Sequence, residues 1–191
     1  MRSSPFTVVY DANVLYPAPL RDFLIRLALA GVYRAKWTSQ IHQEWKRNLL
    51  KNRPDITPSQ LDRTCELMNR ALPDALVCGF DSLCESLDLP DDDDRHVLAA
   101  AIRCNAQVIV TFNLKDFPSR ILDAYEIEAL HPDTFIADVW DLDQAAVLQA
   151  AQAQLRTLKK PPMTADEYLQ MMLRHGLSQT AKHLWPYKSI L

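Results

Sequence analysis

Four carboxylic acids, Asp11, Glu44, Asp94 and Asp116, stand where strands are predicted to end or helices to turn inward. Asp11 closes the β-branched and aromatic run FTVVYDAN (6–13), and Asp116 follows the apolar run AQVIVTF (106–112). Glu44 lies at the border of the apolar stripe in SQIHQEWKRNLLKN (39–52), where Ile41, Trp45 and Leu49 recur four residues apart. Asp94 is the last acid of LPDDDDRHVLAAA (89–101); it precedes Val97 and Leu98 by three and four residues, so it shares their helix face. Asp91, Asp92 and Asp93 read as caps and solvated charge, placed to share the role of Asp94. Carboxylates converging on one point repel one another, and a divalent cation relieves that repulsion. Oxygen ligands without His or Cys at zinc spacing favour Mg²⁺ or Mn²⁺, and the matching chemistry is hydrolysis of a phosphodiester by a metal-activated water. Asn13 and Thr111, beside two of the acids, are candidates for orienting a carboxylate or a phosphate.

The elements that must position these groups alternate. Strand 6–13 leads into a helix opened by Pro17, with Leu20, Phe23, Leu24 and Leu27 at helical spacing and Gly31 just past its end. Helices follow at 39–52, with Ser39 as N-cap, and at 57–72, opened by the T-x-x-Q capping box of Thr57. A strand is expected at ALVCGF (75–80), a central parallel strand at 106–112, a short helix near 119–124 and an edge strand at 126–130. Such alternation predicts an α/β fold with a parallel sheet, in which ligands bind beyond the carboxyl ends of the strands. From Asp141 the texture changes to an Ala/Gln-rich helix stopped by Pro161 and Pro162, then TADEYLQMMLRHG (164–176) with a T-x-x-E capping box. We divide the chain into a nuclease-like domain, 1–137, and a helical C-terminal extension, 138–191.

Composition narrows the function classes. Residues 1–60 carry 9 Lys/Arg against 4 Asp/Glu, 61–145 carry 6 against 18, and 146–191 carry 6 against 2, so the acids concentrate in the middle. Acid flanked by basic surface suits an enzyme acting on a polyanion, although three separately solvated faces would count the same way. Three glycines form neither G-x-G-x-x-G nor a P-loop, which argues against a nucleotide cradle. Four cysteines without a C-x-x-C pair read as buried free thiols. The absence of a long apolar run predicts a cytoplasmic protein with no membrane segment.

VVYDANVL, SQIHQEW, LPDDDDRHVLAAA and VIVTFNLKDFP, in this order and spacing, resemble the PIN-domain nucleases, and particularly the VapC-type toxins of bacterial type II toxin–antitoxin pairs. The resemblance covers roughly residues 6–136. It implies a three-layer fold, a five-stranded parallel sheet flanked by helices, and an Mg²⁺- or Mn²⁺-dependent endoribonuclease. The implied catalytic and metal-holding acids are Asp11, Glu44, Asp94 and Asp116, with Asn113 assisting Asp116. Many family members have Asp where Asn113 stands; others carry the Asn followed by an acid that corresponds to Asp116. The implied partners are RNA, a cognate antitoxin that occupies the acidic groove, a second copy in a homodimer, and promoter DNA through the antitoxin alone.

Blander readings stand beside these. Asp11 can be a turn residue, Glu44 can pair with Arg47 one turn on, and Asp116 can cap the helix that follows it. His42, His96 and His131 lack ligand spacing and read as surface or capping groups, while Trp37 and Trp45 read as core. Two other functions compete. One is a degenerate PIN fold, weak or inactive in catalysis, that only binds RNA or a partner. The other is a phosphatase of the haloacid dehalogenase type, which requires D-x-D where this chain has Asn13.

Overall fold

The computed structural model describes residues 6–159 and 161–191. Along the chain run β1 (Thr7–Tyr10), α1 (Ala12–Leu15), α2 (Ala18–Leu29), β2 (Arg34–Lys36), α3 (Ser39–Asn52), α4 (Pro58–Ala71), α5 (Asp81–Cys84) and α6 (Arg95–Arg103). There follow β3 (Val108–Val110), α7 (Ser119–Leu122), β4 (Glu128–Leu130), α8 (Pro132–Leu142), α9 (Gln144–Thr157), α10 (Ala165–Arg174) and α11 (Ser178–Leu184). Packing gathers these elements into two compact units. The first reaches to Tyr16 and resumes over Tyr33–His131; the second joins Pro17–Val32 to Pro132–Leu191.

The first unit is built on a parallel sheet in the order β2-β1-β3-β4. Val8, Val9 and Tyr10 are fully buried, as a strand paired on both edges requires: Val8 faces Ala35 on one side and Val108 on the other. From β1 the chain leaves to β2 on one side, while β3 lies on the other. That reversal opens a crevice beyond the carboxyl ends of β1 and β3, where Asp11 and residues 111–116 emerge. Helix α6 packs on both strands through a buried face containing Val97, Leu98 and three alanines.

Among the described residues the sheet has four strands, not the five implied by resemblance. The run expected as a strand at 75–80 meets the sheet by a single parallel bridge, Trp37↔Leu76. A turn of 3-10 helix at Pro73–Ala75 runs into it, and Gly79, at φ +72°, turns the chain away, so no ladder develops. Strand β2 carried no sequence signal, because three residues are too short to display alternation. The N-cap of α3 is Thr38, not Ser39: the Thr38 hydroxyl accepts from the Ile41 amide at 3.0 Å. The capping box of α4 forms as read, through Thr57 and Gln60. All four cysteines are free, yet only Cys65 is buried.

In the second unit α2 and α8 both pack on α9, and α11 packs on α8 and α10. The boundary drawn at 137/138 falls inside α8. Helix α10 opens with the Thr164–Glu167 capping box, and α9 ends at Thr157, ahead of the two prolines. Helix α11 has no cap from its own N-terminal residue. Asp133 of α8, buried, supplies one instead: its carboxylate accepts from the amides of Gln179 (2.8 Å) and Thr180 (2.9 Å) and from the Thr180 hydroxyl (2.8 Å). Asp133→Ala strands those donors away from water and is expected to destabilise the protein by about 2–3 kcal/mol, read by urea denaturation. A loss below about 0.5 kcal/mol would show that solvent replaces the carboxylate. No helix among the described residues is long and apolar enough to cross a membrane.

Candidate metal centre

Asp11 leaves β1 in an extended conformation and caps α1, its Oδ1 accepting from the Ala12 amide at 2.6 Å. Its Oδ2 accepts from the Thr111 hydroxyl at 2.7 Å and from Asn13 Nδ2 at 2.5 Å. Thr111 Oγ1 also accepts from Asn13 Nδ2 and from the Asn113 amide, both at 2.9 Å, and Asn13 Oδ1 accepts from the Phe112 amide at 3.0 Å. Asn13 and Thr111 thus tie the ends of the two central strands together around Asp11, which is only 3% exposed. Burial pushes the Asp11 carboxyl above its ordinary range; the Thr111 hydrogen bond opposes this and the charge of Glu44 adds to it.

On the β3 side, Asn113 Nδ2 donates to Asp116 Oδ2, so the amide and the acid act as one pair. Asp116 is buried. Across from it, Asp91 accepts from the Asp93 amide at 3.0 Å and caps the turn Asp92–Asp94, while Asp92 pairs with Arg95 at 2.5 Å. Asp94 makes no capping bond and stands half-buried at the start of α6. One carboxylate oxygen from each of Asp91, Asp94 and Asp116 lies within 4.8 Å of the other two. Burial first, then the charges of Asp11, Asp91, Asp116 and Glu44, raise the Asp94 carboxyl from 3.8 to about 7.

The four acids predicted from sequence therefore share one electrostatic site, but not one ligand triangle. Asp94 and Asp116 are in the triangle, joined by Asp91. Asp11 and Glu44 lie outside it, near enough to bear on Asp94. Glu44 does not pair with Arg47. Its Oε2 lies 3.3 Å from Nε2 of His96, which is buried, not at the surface as read. The signal was present, since His96 precedes Ala99 and Ala100 by three and four residues on the inward face of α6. His42 is a satisfied core residue: Nδ1 accepts from Trp45 Nε1 at 3.1 Å, within a cluster that includes the fully buried Trp37.

Three carboxylate oxygens clustered at this spacing, one on a carboxyl whose ionisation burial and neighbouring acids oppose, form a hard donor set that a divalent cation would satisfy. Site and fold define a class. The family model described as PIN domain matches residues 7–115, more than half of the chain, and the chain belongs to the PIN-domain family. A second family model, the VapC50 C-terminal domain, matches residues 132–185. Over 76 residues the chain is 47% identical to a protein of Mycobacterium tuberculosis (strain ATCC 25618 / H37Rv) named "Putative ribonuclease VapC50"; the match covers 40% of this chain and 45% of that protein. Comparison with solved structures gives no match.

Proposed function

We propose that the protein is a Mg²⁺- or Mn²⁺-dependent endoribonuclease and the toxin of a type II toxin–antitoxin pair. The observation that carries this reading is the approach of Asp91, Asp94 and Asp116 to within 4.8 Å at the crevice where Asp11 also emerges. Asp91, Asp94 and Asp116 would hold the cation, with Asp11 and Glu44 contributing negative charge at its margin. Once bound, the ion would lower the pKa of a water and offset charge on the phosphoryl oxygens. The chain's own groups prepare the site: Thr111 and Asn13 fix the Asp11 carboxylate, Asn113 fixes that of Asp116, and His96 holds Glu44. The products would carry 5′-phosphate and 3′-hydroxyl ends.

Residues 1–137 would carry the chemistry and the helices of 138–191 would serve as an extension. The protein would act in the cytoplasm as a homodimer. A cognate antitoxin would occupy the acidic groove and supply any contact with promoter DNA. The likeness to VapC50 supports the toxin assignment. The test is cleavage of single-stranded RNA by the purified protein. Mn²⁺ or Mg²⁺ is expected to support it, and EDTA to abolish it, reversibly on adding the metal back. Cleavage that continues unchanged in EDTA would refute the metal-dependent reading, and absence of both cleavage and Mn²⁺ uptake by calorimetry would leave a binding module.

A further inference from the structure

A groove of about 590 Å³ runs alongside the acidic site, within the roughly 300–1,000 Å³ range of sites that accept small ligands. One wall is the outer stripe of α3, where Gln40, Gln43, Glu44 and Arg47 fall at i, i+3, i+4 and i+7. The other wall is formed by the 77–81 segment, with Phe80 and Asp81, together with Asp93. Glu44 and His96 belong both to the groove and to the acidic site, so the two are continuous. Gln40, Gln43 and Arg47 are exposed. Arg47 forms no ion pair among the described residues, unlike its neighbour Lys46, which is held by Asp62.

The chemistry of this lining selects its occupant. Glu44, Asp81 and Asp93 would repel a phosphate lodged inside, whereas an uncharged base gives them nothing to repel. The two glutamine amides present donor and acceptor edges of the kind that read adenine, and their carbonyl oxygens can equally accept from the exocyclic amino group of cytosine. Arg47 is the one Lys or Arg among the groove's lining residues and suits a backbone phosphate at the rim. We propose that this groove holds one unpaired base of the RNA next to the scissile phosphate and selects bases bearing an exocyclic amino group over uracil. The inference rests on the ribonuclease reading above, and it deepens that reading by naming what the enzyme recognises.

The test has two arms. In the first, wild-type protein with Mn²⁺ cleaves RNA strands that differ only at the nucleotides flanking the cut. Uracil at one flanking position is expected to slow cleavage about tenfold relative to adenine or cytosine. The Gln40→Ala/Gln43→Ala double variant should bring that ratio to within about twofold. In the second arm, fluorescence anisotropy in EDTA compares homopolymer strands of A, C and U. Wild type is expected to bind A and C about tenfold more tightly than U, and the double variant to bind all three alike. Arg47→Ala should weaken all three by a similar factor and lower the salt slope by about one. Both glutamines are exposed on a helix that alanine favours, so circular dichroism should show the double variant folded. Equal binding of the three strands by wild type, or a preference that survives loss of both glutamines, overturns the proposal whether or not the RNA is cut. Base-selective binding without cleavage would instead overturn the nuclease reading and keep the groove.

Discussion

Asp11→Asn is expected to lower RNA cleavage by about 10²–10³-fold while leaving the protein folded. The substitution keeps size and shape and removes one charge from the margin of the acidic site. It also forces a choice on the hydrogen bonds that Asp11 now makes to Ala12, Asn13 and Thr111. If the new carbonyl keeps the helix cap, its amide group faces the Asn13 amide and the Thr111 hydroxyl, and neither is free to accept: Asn13 Nδ2 has no lone pair and Thr111 Oγ1 already accepts from Asn13 and from the Asn113 amide. Against that loss stands the removal of a buried anion whose pKa burial has raised. The two effects oppose, so stability should move by no more than about 1 kcal/mol. Initial rates on one RNA with Mn²⁺, beside urea denaturation of both proteins, separate the two readouts. Equal cleavage by the two proteins would remove Asp11 from the chemistry.

Asp94→Asn should raise stability at alkaline pH and cost as much activity. The Asp94 carboxyl titrates at about 7 in the folded protein against an ordinary value of 3.8. Folding therefore favours its neutral form: the contribution is complete below about pH 4 and is lost as pH rises through about 7. Asparagine stays neutral throughout, so the variant should match wild type near pH 4 and exceed it at pH 8 in EDTA. Because the group is half-buried, water screens part of this, and the expected gain is about 1–2 kcal/mol. Added Mn²⁺ should raise the stability of wild type at pH 8 and have little effect on the variant, since stabilisation by a ligand requires a folded state that binds it. A variant no more stable than wild type at pH 8 would mean that the acids around Asp94 do not strain the metal-free protein.

The contrast between these two variants explains what could be read from residues alone. Strand ends and helix faces are set by local periodicity, so Asp11, Asp94 and Asp116 were legible one by one. Which oxygens approach one another is decided by how loops close. That is why Asp91, read chiefly as a cap, joins the triangle while Asp11 and Glu44 border it. The inward place of His96 is legible from its spacing to Ala99 and Ala100, but its pairing with Glu44 depends on how α3 and α6 pack. In the fold, long amphipathic helices with capping boxes matched their bounds closely. Strands of three or four residues give little to read: β2 has no periodicity of its own, and the apolar run at 75–80 predicts a ladder where a single bridge forms.

Among the described residues the sheet's outermost strands are β2 and β4, each three residues long, with Arg34 and Lys36 on one and Glu128 on the other. Open strand edges invite foreign backbones to dock, and short, charged ones offer a poor template for it. Concentrated preparations should thus resist fibril-like stacking, so that any self-association they display comes from side-chain surfaces, not from borrowed hydrogen bonds along the sheet.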